Sequence, residues 1–225
     1  MSVRPIFIPS IHQDTFVHSV DVNFTWFPGF SKEQKQRSIQ SLHEEAMKND
    51  DIKKILEIST KSLNPIGVKA SAFNLRLKPK NFPAASVESF YQGSKVFKKA
   101  GPFIDLYEAS ALTAKKDERI KTSGELIGFN FQGVDWGLND YFYDWLYLMG
   151  LNQNPKLAEE LLKFNAFSDI EFNPKKSYNC QAYSAALYIS AYLRGIQLED
   201  IQSPKNFKEA FPSDKLISFQ QLDLF

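Results

Sequence analysis

Apolar positions along the chain recur mostly at helical spacing, with a few short stretches that alternate instead. Between Asp140 and Leu151, the residues Tyr141, Phe142, Trp145, Leu146, Leu148 and Met149 leave almost no polar face. A helix that is apolar all round has no side to offer water, so this segment predicts a buried central helix. After Ser31, the residues Ile39, Leu42 and Ala46 mark one face while Lys, Gln and Glu fill the other. Ser31 and Gln34 have capping-box spacing, which predicts a surface helix starting there. Ser86 can cap a helix running to about Lys98, with Val87, Phe90, Tyr91, Ser94 and Phe97 inward, and a further helix is expected over about 103–116. Asn154-Pro155 sets a capping residue before a proline at the first helical position, opening a helix to about Phe164. A last long helix from about Cys180 to Arg194 ends at Gly195, and its alanines at 182, 185, 186 and 191 predict close packing. Shorter helices are expected over about 51–58 and 206–210.

Extended segments are fewer. Arg4 to Pro9 is short and apolar with prolines at its borders, and reads as a strand. Val68 to Leu77 reads as strand or extended loop, and Phe129 to Trp136 as strand or irregular. In Ser168 to Asn173, Ile170 and Phe172 point one way while Asp169, Glu171 and Asn173 point the other, which is strand alternation. The expectation is a mainly helical α+β domain with a few short strands. Asn64-Pro65-Ile66-Gly67 breaks the chain. A single domain over 1–225 is expected, with an N-terminal elaboration at 1–65, a core at 66–200 and a C-terminal extension at 201–225.

Composition narrows the function classes. Hydrophobic residues make up 43% and aromatics 14%, enough for a large core and against disorder. With 27 basic and 26 acidic residues the formal net charge is +1, so any nucleic-acid contact must be local rather than a general basic surface. The lone Cys180 rules out an intramolecular disulfide, and His12, His18 and His43 form no metal-ligand pattern. No cofactor or metal is expected. Met1 to Ser10 has no signal-peptide character and no run of about 18 apolar residues occurs. A cytoplasmic protein without membrane association is expected.

Three constellations carry candidate chemistry. Glu88, Gln92 and Lys95, at 100° per residue, lie within about 60° of one another on the Ser86 helix. A carboxylate, an amide and an amine on one face can orient a ribose and activate water; a solvent-facing polar stripe has the same pattern. Asp169, Glu171 and Asn173 can supply a general base or hold ribose hydroxyls, or be an ordinary polar edge. Lys175, Lys176, Ser177 and Asn179 lead into the Cys180 helix, whose free N–H groups suit a phosphate, although a solvated basic turn fits as well. Trp136, between Gly133 and Gly137, can stack on a base or pack in the core. Cys180 reads as structural.

Several of these stretches together resemble one family. Val87 to Lys95 (VESFYQGSK) is similar to the E-x-x-x-Q-x-x-K helix of the NADAR proteins, N-glycosidases and ADP-ribosyl hydrolases that act on ADP-ribose-related nucleotides. Ala109 to Arg119 (ASALTAKKDER) resembles that family's small-residue helix with its basic pair. Trp136 stands where the family has a tryptophan ahead of a long helix, and Asn154-Pro155-Lys156-Leu157 resembles its N-P-x-L helix start. Glu171 and Asn179 sit like its late acidic and asparagine positions. The resemblance covers roughly 67–194. It departs where the family's Asp and Trp-Gly are replaced by Asn173-Pro174-Lys175-Lys176, and its G-x-N segment by Ser177-Tyr178-Asn179-Cys180.

The resemblance implies a compact, mainly helical α+β fold and a metal-free N-glycosidase, most directly one that removes ADP-ribose from modified guanine in nucleic acid. An ADP-ribose-type nucleotide is then the substrate, ADP-ribosylated DNA its carrier through local contacts, and a DNA ADP-ribosyltransferase toxin the functional partner of an antitoxin. Glu88 and Glu171 would be the two carboxylates acting on one ribose, with Lys95 as a phosphate or base contact or an amine nucleophile. Gln92, Trp136, Asn173, Lys175 and Asn179 would bind substrate, Trp136 by stacking and Lys175 with Asn179 on the pyrophosphate. A non-catalytic binder of such nucleotides and a glycosidase of a free riboflavin-pathway-like metabolite are the rival readings.

Overall fold

Pro5 and Pro9 shape how the first strand is used in the computed structural model, which describes residues 2–12, 14–174, 179–213 and 216. Along the chain run β1 (Ser2–Pro9), β2 (Val17–Phe24), α1 (Lys32–Ala46), β3 (Ile55–Glu57) and α2 (Pro65–Ala70). Next come β4 (Arg76–Leu77), β5 (Ala85–Ser86), α3 (Val87–Gly93), β6 (Lys95–Phe97), α4 (Ala111–Lys116) and α5 (Arg119–Thr122). Then follow β7 (Leu126–Phe131), β8 (Val134–Trp136), α6 (Phe142–Asn152), α7 (Pro155–Leu161), β9 (Ala166–Ser168), α8 (Gln181–Leu193) and α9 (Pro204–Ala210). The fold is mixed α+β with more helix than strand. Contacts gather it into two compact units, one drawn from residues up to Ser71, Lys156–Gln197 and Phe211 onward, the other from Ala72–Pro155 and Leu198–Ala210.

The first unit is built on a four-stranded sheet in the order β2-β1-β9-β3. β1 and β2 pair antiparallel from Ser2↔Phe24 to Pro9↔Val17, whereas β1 meets β9 only at Phe7↔Phe167. Pro5 therefore lies off the short rung with β9, where a missing N–H costs the ladder nothing. β3 runs parallel to β9, with Leu56 opposite Phe167. Ile6, Val22 and Phe24 face Ile39, Leu42 and Ala46 of α1, with Ile52, Ala166 and Ile170 completing that layer. The next side chain of β1, Phe7, turns to the other face and meets Tyr183 of α8 edge-on, ring centroids 5.7 Å apart. Period-two alternation thus places one helix on each face of the sheet. Arg194, just after α8, donates to the carbonyls of Ser10, His12 and Thr15 and lies 3.9 Å from the ring centroid of Phe16, tying down the β1–β2 connection. Gly195 follows at φ +69, the left-handed end expected for this helix.

The second unit centres on α6, buried from Phe142 to Leu151 as its pattern predicts. β6, β7 and β8 form an antiparallel sheet with Lys95↔Phe129 and Phe129↔Trp136 in register. Phe90, Tyr107, Phe131 and Phe142 meet edge-on or tilted within it, and Trp145 stacks on Phe142.

Several expectations change. Residues 55–57 form a strand, not part of a helix, because they pair with β9. Pro65–Ala70 is a helix rather than extended chain: Asn64 Oδ1 accepts from Ile66 N at 2.9 Å, with proline at the first turn. The Ser86 helix ends at Gly93 instead of Lys98, and Lys95–Phe97 join β7. The helix expected over 103–116 is split into a 3-10 turn at Ile104–Tyr107 and α4, capped by Ser110. The alternating stretch 168–173 is a turn leaving the short β9, and β2 adds a strand at Val17–Phe24. Among the described residues no helix is long and apolar enough to cross a membrane.

Candidate active site

In the second unit, α3 starts where β5 ends, and Ser86 Oγ accepts from Ser89 N at 3.0 Å. The first-turn N–H groups of Val87 and Glu88 donate to the carbonyls of Leu75 and Ala72 at 3.0 and 2.9 Å. Glu88 sits at the positive end of the helix, where a carboxylate is favoured, and is 6% exposed. One turn on, Gln92 Nε2 donates to Glu88 Oε1 at 3.0 Å, the i,i+4 contact the spacing predicts. Gln92 Oε1 is buried with no hydrogen-bond partner. Lys95, arriving on β6, sets its Nζ 4.9 Å from the Tyr91 ring centroid. Lys115 of α4 brings a second ammonium 4.0 Å from Glu88 Oε1 and 5.1 Å from the Phe73 ring centroid.

Burial pushes the Lys95 ammonium well below the usual lysine range, to about 8; Glu88 opposes that shift and Lys115 adds to it. A desolvated lysine with a second cation nearby is the arrangement that frees an amine for nucleophilic attack near neutral pH. The structure thus brings Glu88, Gln92 and Lys95 together and adds Lys115. The basic pair in the 109–119 stretch was the signal for Lys115, but a spacing rule within one helix cannot reach a side chain on another. An open cavity of about 300 Å³ in the same unit, lined by Asn81, Phe82, Tyr107, Asn130 and Gln132 among others, holds none of these residues.

Trp136 is a correction. It is 2% exposed, with Trp145, Phe142 and Phe207 at ring-centroid distances of 4.8, 5.4 and 6.4 Å. The indole fills an aromatic core and presents no free face for a base. Trp136→Ala is expected to cost about 3–5 kcal/mol of stability, read from urea midpoints. A variant of unchanged midpoint that loses ligand affinity would restore the stacking role.

The remaining candidates belong to the first unit. Asp169, expected on an outward strand face, is instead 7% exposed, because β9 ends at Ser168 and the chain turns. Its Oδ1 accepts from Glu171 N at 3.0 Å. Burial raises the Asp169 acid to about 6, with Glu171 adding and the Gln181 side chain opposing. The Glu171 side chain is 47% exposed and pairs with Lys35 Nζ at 3.2 Å. Lys35 Nζ and the Arg4 guanidinium lie 4.7 and 5.5 Å from the Trp26 ring centroid. Asn173 and Asn179 are partly buried, and Lys175 lies outside the described residues. Among the described residues no group of three or more His, Cys, Asp or Glu is gathered as a metal site requires.

Residues 2–220, nearly the whole chain, match the profile of the DarT1-associated NADAR antitoxins. The chain belongs to this family. No curated protein matches the sequence significantly. The match takes in residues 2–66, with β1, β2 and α1, which the motif resemblance did not reach. It also gives the motif at 87–95 a context that one helix spacing lacked.

Proposed function

We propose that this NADAR antitoxin hydrolyses the N-glycosidic bond between ribose C1 and guanine in ADP-ribosylated DNA, reversing the modification made by a DarT1-type toxin. The observation that carries the reading is the part-buried cluster of one carboxylate and two amines, Glu88, Lys95 and Lys115, in a chain of this family. Departure of a base from C1 builds oxocarbenium character, and a preorganised carboxylate stabilises that charge in a poorly solvated site. Glu88 holds a ribose hydroxyl and faces the developing cation. The neutral amine of Lys95 attacks C1 as the C1–N bond to guanine breaks, and the base leaves with a proton. Water then hydrolyses the lysine–sugar bond, returning free ADP-ribose and the amine. Lys115 contacts a phosphate of the substrate and keeps Lys95 easier to deprotonate. Glu171, Asn173 and Asn179, with Lys175, are proposed as substrate contacts of the first unit by their likeness to the family's late positions.

The test is release of ADP-ribose from guanine-modified DNA, followed by chromatography. Wild type should turn over, and Glu88→Gln should lower kcat by about 10²–10⁴-fold. No release by wild type, or full activity of Glu88→Gln, would falsify the proposal. Tight ADP-ribose binding without turnover would make the protein a sequestering binder. Faster turnover of a free nucleotide than of DNA would move the substrate to a metabolite.

A further inference from the structure

Behind the turn that follows β9 lies a chain of polar groups that the proposed reaction does not use. Glu57, at the end of β3, is 1% exposed. Its Oε1 accepts from Ile170 N at 2.9 Å, and its Oε2 lies 2.5 Å from Ser168 Oγ. The Ser59 side chain adds a hydrogen bond to the same carboxyl. Ser168 Oγ in turn lies 2.8 Å from His43 Nε2 on α1. Ser168 is the last residue of β9 and Ile170 the second residue beyond it, so Glu57 grips the chain on both sides of Asp169.

A carboxyl without water costs free energy that a leucine at position 57 would not. What the carboxyl gains is a hold on the two groups that decide how the chain leaves the sheet. With that exit fixed, Asp169 turns inward and accepts from Glu171 N, while the Glu171 side chain points out to Lys35. We infer that Glu57 is a positioning residue, which, through Ser168 and Ile170, sets the direction in which Glu171 and Asn173 leave the sheet. The inference rests on the proposed function to the extent that this turn serves the substrate.

The hydrogen-bond chain has two proton arrangements. With Glu57 ionised, Ser168 donates to Glu57 and accepts from His43 Nε2. With Glu57 protonated, the carboxyl donates to Ser168 and Ser168 donates to His43. Burial and the neighbouring Asp169 push Glu57 up to about 8, and burial pushes His43 down to about 4. Both shifts favour the uncharged forms, and with them the second arrangement. The facing charged groups are His43 of α1 and Asp169 of the turn, with Arg4 of β1, Glu171 and Lys35 around Asp169. Above about pH 8 the Glu57 anion stands beside Asp169 in the core, and its repulsion strains the turn.

Glutamine at 57 reproduces the protonated form: its carbonyl accepts from Ile170 N and its amide donates to Ser168. The experiment compares wild type, Glu57→Gln and Glu57→Leu in the full chain. It measures kcat and KM on ADP-ribosylated DNA from pH 6 to 9.5, and amide hydrogen exchange at Ile170 to Phe172. Glu57→Gln should keep KM within about threefold at pH 7 and abolish the rise in KM above about pH 8 that is expected of wild type. Glu57→Leu should raise KM by about tenfold or more, the penalty of leaving the buried Ile170 N–H without its acceptor, and speed exchange at Ile170 by a similar factor. Wild-type KM and wild-type exchange in Glu57→Leu would overturn the inference, as would an alkaline rise in KM that survives in Glu57→Gln. If wild type shows no turnover, the proposed reaction fails, and the exchange rates still decide the role of Glu57.

Discussion

Lys95→Ala is expected to lower kcat on ADP-ribosylated DNA by about 10³-fold or more, because it removes the group that forms the new bond at C1. Lys95→Arg should be as inactive, since a guanidinium keeps its charge at any working pH and cannot attack. Burial holds Lys95 at about 8, so the reactive neutral amine grows with pH and wild-type kcat should rise toward a plateau just above that value. The neighbours give the signs for variants. Glu88 favours the ammonium, so in Glu88→Gln the residual activity should reach half-maximum at lower pH. Lys115 disfavours it, so Lys115→Met should move the midpoint upward. The lysine–C1 adduct can open its ribose ring to an imine, which borohydride added during turnover should reduce, trapping ADP-ribose on the peptide carrying Lys95 in wild type and nowhere in Lys95→Ala. An active Lys95→Arg enzyme, or a trapped adduct on another lysine, would end the nucleophile role and leave Lys95 as an electrostatic contact.

Which features were legible in the sequence depends on how local their causes are. α6 and α8 were readable because an all-apolar helix and an alanine-rich one declare their burial within their own residues. Glu88 and Gln92 were readable because four residues is one helical turn. Lys95 reaches the cluster for a different reason from the one its spacing suggests: the helix has already ended, and pairing with Phe129 directs the chain. Asn64-Pro65 carries the same cap-then-proline signature that opens α7, so the start of α2 is written locally in the sequence. The stretch 168–173 shows the limit of alternation as a signal. Ile170 and Phe172 are both buried, as a strand would have them, yet the segment is a turn braced by a carboxyl more than a hundred residues earlier in the chain. Glu57 has no mark in the sequence for this role, because Ser168 and Ile170 lie more than a hundred residues further along the chain.

Gly67→Ala should be the most destabilising single-methyl change in the first unit, at about 3 kcal/mol or more. Gly67 lies within α2, and a Cβ there would stand 1.9 Å from the backbone oxygen of Glu57 and 2.6 Å from Ser62 Oγ. The hydroxyl can rotate away, but the carbonyl belongs to β3, whose register with β9 fixes Glu57 opposite Ser168. Relief therefore requires α2 to lift or β3 to shift, and a shift of β3 carries the Glu57 carboxyl away from Ile170 N. The useful comparison is Gly150→Ala in the second unit, where the nearest atoms to the added methyl are side-chain carbons of Leu75 and Val87 at 3.0–3.1 Å. Side-chain ends give way by small rotations, so that change should cost about 1 kcal/mol or less. Urea midpoints of the two variants should separate accordingly. The exchange of Ile170 N should speed in Gly67→Ala even under conditions where the chain stays folded. A Gly67→Ala protein with the wild-type midpoint would mean that β3 and α2 tolerate a wider spacing, and the rigid seat assigned to Glu57 would go with it.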